Sequence, residues 1–321
     1  MLGVWFGILL LWSAVPVADT GLVVRTVRFY RADPTQSPGQ TQVTAFIQIP
    51  AELPTAGPTG EVSLALTMRV TDSTGGTLYQ QAWQRRTAVP SPRGEADRLD
   101  LLRFTLGAGK FQLEASVTDS VSGRRAEVSV PIDGYRAPPA MSDLLISPWL
   151  RPVASIDTIP QPGEFRRGGL IVAIAPEVVV GGPTASVAYL LETYAGTATE
   201  GELTLKVIDQ GGTERKRMGP TPVRVAAGIG LLTGQLELGD LPPDRYRLEA
   251  ALELGGRVES RVAGVRVRIR RRPGAERRGL FPGRCRGGRS TRPSRRRFSV
   301  IAPKADLAAW AGPGRGRRAA S

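Results

Sequence analysis

The 321-residue sequence contains no histidine and no asparagine, and its one cysteine is Cys285. Without histidine, the chain cannot carry a Ser-His-Asp triad, a Cys-His pair or an imidazole metal ligand. A single cysteine excludes an internal disulfide and a thiolate metal site. The missing asparagine excludes an N-glycosylation sequon. These absences remove most of the common catalytic and metal-binding chemistries from consideration.

The basic residues are unevenly distributed along the chain. Residues 265–321 hold 18 Arg or Lys residues and two acidic residues, whereas residues 1–264 hold 25 basic and 27 acidic residues. The formal charge of +14 therefore divides into −2 for residues 1–264 and +16 for residues 265–321. With 41% apolar residues overall, the sequence predicts a near-neutral globular body followed by a separate basic tail.

An apolar run extends from Leu2 to Trp12, and small residues follow it up to Ala18. This pattern is typical of a secretory signal peptide, and the run is shorter than the roughly 20 residues that span a bilayer. No basic residue precedes the run, and Pro16 would lie at the −3 position of cleavage after Ala18. A buried first strand and a short anchor are the alternatives. We expect residues 1–18 to be a signal peptide or N-terminal apolar segment, the protein to be periplasmic or extracellular, and no transmembrane span to remain after cleavage.

Most of the body alternates between apolar and polar residues with a period of two, which indicates strands with one buried face. Such runs occupy 43–49, 61–70, 110–118, 203–208, 246–254 and 265–269. Gly- and Ser-rich turn signals lie at 73–76, 107–109, 120–123, 210–212 and 255–256. No body segment of twelve or more residues sustains a 3.6-residue period. The sequence therefore predicts an all-β fold of immunoglobulin/fibronectin-like sandwiches.

Two matched segments suggest an internal repeat. Leu66–Asp72 (LTMRVTD) parallels Leu203–Asp209 (LTLKVID), and Phe111–Ala115 (FQLEA) parallels Tyr246–Ala250 (YRLEA). The two pairs have nearly the same offset, as a duplicated unit would give, although β-rich sequences also match by coincidence. We predict two tandem sandwiches, and they are expected to cover residues 20–137 and 141–270.

Residues 138–146 (PPAMSDLLI) lie between these units, downstream of 111–119 (FQLEASVTD) and 122–124 (SGR). Together they resemble the amino-terminal region of bacterial GWxTD-domain proteins, in which an "lSDl" segment opens a second β-domain. Further similarity to that second domain lies at 189–194, 207–212 and 241–248. The resemblance implies an exported bacterial protein without an assigned activity. The Gly-Trp-x-Thr-Asp motif itself is absent, and any function of the domain that carries it would be absent from this chain.

Residues 271–321 form an Arg-rich tail with few apolar residues, and we expect the tail to be disordered. One interpretation is a nucleic-acid arm whose arginines neutralise phosphates. A second is adhesion to an anionic lipid or polysaccharide surface. A third, which we favour, is translation in a shifted reading frame of GC-rich DNA, which would replace a carboxy-terminal GWxTD domain. Absence of a Gly-Trp-x-Thr-Asp segment from the neighbouring frames after the Ile269 codon would count against it.

Several residues could suggest a site. Asp72 and Asp209 follow strands and precede turns, where calcium binding is conceivable, but a turn role is favoured. Ser142 and Asp143 are expected to bond nearby backbone N–H groups at the connection between the units. Residues 107–110 (GAGK) lack phosphate-loop spacing and predict a hairpin turn.

The remaining candidates do not form a pattern that predicts chemistry. The acids Glu61, Asp97, Asp100, Asp157 and Glu164 are scattered among loops and strand starts. Trp83 and Trp149 are expected to pack in the core or between domains. The thiolate of Cys285 would be favoured by its arginine neighbours, but reactivity alone is not a function.

The sequence thus assigns no catalytic, cofactor-binding or metal-binding residue and no cofactor. It predicts a non-enzymatic exported protein that acts as a structural or protein-interaction module with an unknown protein partner, for instance by addition of a partner strand to a sheet edge. The alternative is binding of nucleic acid or an anionic surface through the tail. An enzyme would regain support only if acids of both units lined one pocket.

Overall fold

A computed structural model of the protein describes residues 21–33, 36–88, 98–153, 155 and 158–268. Over these ranges the chain forms 18 strands and contains no helix of the length and apolar character that crossing a membrane requires. The predictions for residues 1–18 and 271–321, and those for Asp97, Asp157 and Cys285, concern residues outside the described ones.

The first seven strands form two antiparallel sheets. They are β1 (Val23–Asp33), β2 (Gln36–Gln48), β3 (Glu61–Asp72), β4 (Thr77–Ala88), β5 (Leu99–Leu106), β6 (Gly109–Asp119) and β7 (Arg125–Gly134). One sheet has the order β1-β2-β5 and the other β4-β3-β6-β7. Buried side chains of both sheets, among them Ile47, Leu66 and Val117, pack into a shared core, so these strands make a sandwich.

The remaining strands form a second sandwich with an insertion. They are β8 (Leu145–Ser147), β9 (Leu150–Pro152), β10 (Glu164–Arg167), β11 (Leu170–Ala173), β12 (Val178–Gly181), β13 (Ser186–Ala195), β14 (Thr199–Ile208), β15 (Glu214–Val225), β16 (Gly228–Glu237), β17 (Asp244–Leu254) and β18 (Arg257–Arg268). The sheets β16-β13-β8 and β12-β18-β17-β14-β15 enclose one core. The inserted strands make a third, small sheet in the order β10-β11-β9.

The two sandwiches share one strand order. Without the insertion and β12, the second sandwich reads β8-β13-β16 and β15-β14-β17-β18, which repeats β1-β2-β5 and β4-β3-β6-β7 strand for strand. The register of the central strand pair is also repeated. In the first sandwich Asp72 pairs with Phe111. The equivalent ladder ends at the pair Ile208–Arg247, and its next position would place Asp209 opposite Tyr246. The predicted all-β fold with two tandem immunoglobulin/fibronectin-like sandwiches is confirmed.

Alternation of apolar and polar residues explains which faces of the central strands are buried. In β3 the five apolar residues from Val62 to Val70 at every second position are all buried, whereas Thr67 and Arg69 on the other face are exposed. The predicted runs at 43–49, 61–70, 110–118, 203–208 and 246–254 fall almost wholly within β2, β3, β6, β14 and β17, and the described part of 265–269 lies in β18. Apolar side chains on one face are driven into the space between the sheets, which fixes the face that each strand presents.

The prediction of a hairpin turn at residues 107–110 is wrong. β5 pairs with β2, whereas β6 pairs with β3 and β7, so this segment carries the chain from one sheet to the other. The carbonyl oxygen of Gly107 lies so close to Gly134 of β7 that a Cβ at position 134 would clash with it. A Gly-rich tight turn serves a hairpin and a crossing between sheets equally well, so the local signal could not distinguish them.

The inserted sheet packs against the first sandwich. Phe165 of β10 and Val172 of β11 share a buried cluster with Phe29 of β1 and Phe46 of β2. Leu190 of β13, on the outer face of the second sandwich, completes the contact. The outer faces of β1 and β2 are therefore buried around Phe29 and Phe46, which brings the end of β1 next to β13.

Candidate functional site

The free edge of β1 is covered by the segment that leads into β8. The backbone N–H of Asp143 donates to the carbonyl oxygen of Arg28 at 3.0 Å, and the backbone N–H of Arg28 donates to Asp143 Oδ2 at 2.8 Å. The Arg28 guanidinium donates to both carboxylate oxygens, at 2.9 Å from Nε and 2.8 Å from Nη2. This pair satisfies edge groups that would otherwise be open to another strand, and it raises the pKa of Arg28 through the hydrogen bond to Asp143.

As predicted, Ser142 and Asp143 both accept hydrogen bonds from backbone N–H groups at the connection between the units, but these groups are distant in sequence. Asp143 accepts from the backbone N–H of Arg28, 115 residues away. Ser142 Oγ accepts from the backbone N–H of Glu192 at 3.0 Å and donates to the carbonyl oxygen of Asp143 at 2.9 Å. Both side chains hold elements that are distant in sequence, because the connection lies in the interface rather than on the surface.

We call the contacts between the first sandwich and the chain that follows it, around Arg28, Glu192 and Phe46, the junction. Removing the charge of Asp143 should test the Arg28 part of it. Asp143→Asn is expected to lower the free energy of unfolding by about 2 kcal/mol, the usual scale for hydrogen bonds to a charged group, because the amide cannot accept from both sides of the Arg28 fork. Urea denaturation followed by tryptophan fluorescence would measure the change. Glu253→Gln, at an exposed carboxylate on β17, is the control and should stay within about 0.5 kcal/mol of the parent; equal effects would contradict the assigned role.

Glu192 lies at the centre of a second, more buried network. Its carboxylate accepts from Arg31 Nη1 at 2.8 Å and from Arg167 Nε at 2.6 Å. The hydroxyl of Tyr194 donates to it at 3.0 Å. Gln42 Oε1 accepts from Arg167 Nη1 at 2.6 Å and from Arg31 Nη2 at 3.1 Å. The network thus joins β1 and β2 of the first sandwich to β10 and β13 of the second.

The electrostatics of this network favour a fixed ionised carboxylate. Burial alone raises the pKa of Glu192, but hydrogen bonds from Arg31 and Arg167 outweigh it and hold the pKa below its ordinary range. Burial and then the charge of Glu192 raise the pKa of Tyr194. Glu192 is therefore a weak base whose acceptor positions are already occupied, which suits a structural group more than proton transfer at neutral pH.

Aromatic rings complete the junction. The guanidinium carbon of Arg167 lies 3.5 Å from the centroid of the Phe29 ring. Tyr194 accepts the backbone N–H of Tyr30 at 2.8 Å, and the two rings pack edge to face at 5.6 Å. Arg167 Nη2 has no hydrogen-bond partner within the described residues. The arginine is held mainly by Glu192, Gln42 and the ring beneath it.

Asp72 and Asp209 lie at equivalent hairpins, as predicted. Asp72 Oδ1 accepts from the backbone N–H of Thr74 at 2.8 Å and from that of Gly76 at 2.9 Å. Asp209 accepts from the backbone N–H of Thr213 at 2.9 Å. The hydrogen bond from the Thr74 hydroxyl, at 2.6 Å, and then the backbone bonds lower the pKa of Asp72. The backbone bond from Thr213 and then the side-chain bond from Arg215 lower the pKa of Asp209. No group of three or more Asp, Glu, His or Cys residues that could hold a metal ion occurs in the described ranges.

The scattered acids do not come together, and each described one has its own surroundings. Asp100 accepts from Trp83 Nε1 at 3.0 Å, whereas Glu164 pairs with Arg151 at 2.9 Å. Glu61 lies exposed at the start of β3.

The two tryptophans differ. Trp83 is partly buried against the core of the first sandwich, as expected. The expectation that Trp149 packs in a core or between domains is wrong: it is 37% exposed, with the Arg151 guanidinium 5.8 Å from its ring centroid. An arginine can cover an aromatic face at the surface, so the tryptophan does not need to be buried.

Apart from Ser142 and Asp143, which were predicted at the connection between the units, the residues that build the junction were not predicted as a site. A signal does exist for Glu192, since it follows the apolar run from Val187 to Leu191 in a strand buried on both faces. An acid in such a strand needs a cationic partner. The partner Arg31 lies 161 residues away, and no local pattern connects the two.

The open edge of β16 is a different kind of candidate site. Within the described structure, β16 pairs only with β13. It has no proline, and its first charged residue is Glu237 at the carboxyl end. Ile229 and Leu231 are 55% and 43% exposed. An edge with nine uncharged residues, Gly228–Leu236, and exposed apolar side chains is a template for strand addition.

Other long edge strands carry features that oppose strand addition. β15 contains Pro220 and Pro222, a register shift against β14 and several basic residues. β4 carries Arg85 and Arg86. Prolines and charges are the usual means by which a sheet edge avoids pairing with another chain. Among these edges, β16 is the one suited to bind a partner.

Comparisons with known proteins do not identify the chain. No family model and no curated protein matches it. A red sea bream transglutaminase is 9% identical over 77% of this chain and 31% of its own, with a TM-score of 0.22. A calcium-binding mutant of Bacteroides uniformis β-glucuronidase 2 is 10% identical over 74% and 27%, with a TM-score of 0.26. The chain spans less than a third of the length of either, and such scores carry no argument about this protein.

Proposed function

We propose that this protein is a non-enzymatic, exported bacterial β-sandwich module, similar to the amino-terminal domains of GWxTD proteins, that serves as a scaffold and binds a protein partner. The observation that carries the proposal is the open β16 edge, with exposed Ile229 and Leu231 and no charge before Glu237. A strand edge offers backbone donors and acceptors to an extended partner, and its neighbouring side chains give specificity.

The junction supports the scaffold part of the proposal. The Glu192 network and the apolar cluster around Phe46 fix one sandwich against the other. The buried carboxylate is already paired with two guanidinium groups, so it stabilises a geometry rather than awaiting a substrate. The apolar run at residues 2–12 supports export.

Site-specific photocrosslinking tests the proposal. A photoreactive phenylalanine analogue in place of Thr233, in the middle of β16, is expected to give a defined protein adduct in the producing cell. The same analogue in place of Thr204 is the matched control, because β14 is paired on both sides, by β15 and β17. Adducts from position 233 but not from 204 would support edge binding. No adduct from 233, or equal labelling from both, would contradict it. Export is tested by fractionation of the same cells.

Binding of nucleic acid or another polyanion is the second candidate. It is favoured by the 18 basic residues among the last 57, which lie almost wholly outside the described structure. Each phosphate contact makes such binding steeply salt-dependent. Deletion of 270–321 should abolish heparin or DNA binding that weakens between about 50 and 200 mM salt, whereas the interaction-module proposal predicts that crosslinking from position 233 survives the deletion.

A further inference from the structure

We propose that β16 pairs with the β16 strand of a second copy of this chain, antiparallel across a twofold axis, so that two three-stranded sheets join into one of six strands. This inference rests on the proposed function, since it names the partner for the same edge. The juxtaposition that carries it is an uncharged open edge, Gly228–Leu236, with exposed Ile229 and Leu231 on its outer face.

Self-pairing of β16 is favoured by its side-chain order. With the twofold axis at Leu231, this leucine meets its own copy on the outer face, and Ile229 meets Thr233. On the inner face Gly230 meets Leu232, so the leucine lies opposite a residue without a side chain and the two large side chains do not clash. Residues 228–234 then form a ladder in which both exposed apolar side chains gain a cross-strand neighbour.

Charge and symmetry both favour self-pairing. The body is close to neutral, with 25 basic and 27 acidic residues in 1–264, and the paired segment contains no charged side chain, so the strand contact itself places no like charges opposite each other. An antiparallel contact between identical strands is isologous, so it consumes both open edges and closes the assembly at a dimer. A parallel contact would leave no such twofold axis.

The size of the contact sets the expected affinity. One strand ladder of about seven residues buries less area than the roughly 1,200–2,000 Å² of a stable interface, and contacts of that class are weak or transient. We therefore expect a dissociation constant on the order of 10 µM. Concentrations from about a tenth of that value to ten times above it must be sampled to see both species.

Sedimentation equilibrium of the full chain at 300 mM salt is the test. The wild type is expected to shift from monomer to dimer across this concentration range. Leu231→Lys places two ammonium groups opposite each other at the axis and should raise the dissociation constant at least about tenfold. Val258→Lys is the matched control, since Val258 is also apolar and exposed but lies on β18. It should change the constant less than about twofold.

Two variants with opposite charges at position 231 show whether a loss of dimer is due to charge repulsion at the strand contact and not to a general effect of the substitution. Leu231→Lys and Leu231→Glu should each dimerise at least about tenfold more weakly than the wild type when alone and should form a mixed dimer when combined, because opposite charges then meet across the strands. Circular dichroism must show the same strand content in both variants and the wild type. A mixed dimer of the two variants whose dissociation constant is no higher than that of the wild type supports the pairing. If the two variants do not form a mixed dimer, the pairing is overturned.

The outcomes separate this inference from the proposed function. A chain that stays monomeric at all concentrations, with crosslinks from Thr233 to a different protein, overturns the dimer and leaves the interaction module in place. A chain that stays monomeric and gives no adduct from position 233 contradicts both the dimer and the interaction module. A dimer that Val258→Lys disrupts as strongly as Leu231→Lys also overturns the β16 pairing.

Discussion

Glu192→Gln is expected to lower the free energy of unfolding by about 3–5 kcal/mol, the cost of leaving a buried ion pair without one partner. The carboxylate and the Arg167 side chain are each only 8% exposed, so water cannot replace the lost charge. Two guanidinium groups would face a neutral amide that can accept but not balance them. The effect should be larger than that of any exposed carboxylate in the protein.

Urea denaturation of the wild type and the variant measures this difference. Glu253→Gln is the control, because Glu253 is exposed on β17, and it should change the free energy of unfolding by less than about 0.5 kcal/mol. A loss below about 1 kcal/mol for Glu192→Gln would mean that the network adds little to the junction.

The same group gives the protein a defined acid sensitivity. The folded pKa of Glu192 lies below its ordinary value of 4.5. As the pH falls, the unfolded state therefore binds a proton before the folded state does, and the free energy of unfolding decreases. The stabilisation is complete above the unfolded pKa and is lost as the pH falls through the folded pKa. The gap between wild type and Glu192→Gln should therefore be constant from pH 8 to about 6 and shrink below about 4.

Most of the strands predicted from sequence have one buried face. β3 and β6 alternate because Leu66 and Leu113 point into a core while Thr67 and Glu114 meet water. The edge strands β4 and β16 were missed for the same physical reason. Strand β4 is polar over most of its length, and β16 interleaves glycine with leucine, so neither shows the contrast between faces that makes a strand recognisable.

The junction was beyond local reasoning because its parts are distant in sequence. Arg28 and Asp143 are 115 residues apart, and Arg31 and Glu192 are 161 apart. Arginines on an outer strand face are ordinarily solvated, so nothing near Arg31 marks it as the partner of an acid in a second domain. Packing of the inserted sheet on the β1-β2-β5 face decides which of these charges become structural, and that packing is a tertiary property.

Phe46→Ala is expected to loosen one sandwich from the other, in addition to lowering the free energy of unfolding by about 3–5 kcal/mol. Phe46 is 2% exposed, and its ring lies 5.3 Å from that of Phe165 across the junction. Its strand neighbours Ala45 and Ile47 point into the first sandwich instead. Truncation therefore removes contact between the sandwiches while leaving the core of the first one intact.

Distances between two spin labels would show this loosening. Labels at Thr67→Cys and Ser260→Cys, in a Cys285→Ser background, report on exposed strand positions of the first and second sandwich. The distance distribution should broaden in Phe46→Ala. Phe104→Ala is the control, since Phe104 lies in the core of the first sandwich, and it should cost comparable stability without broadening. An unchanged distribution in Phe46→Ala would mean that the Arg28 and Glu192 contacts alone hold the junction, and the apolar cluster would then contribute stability but not orientation.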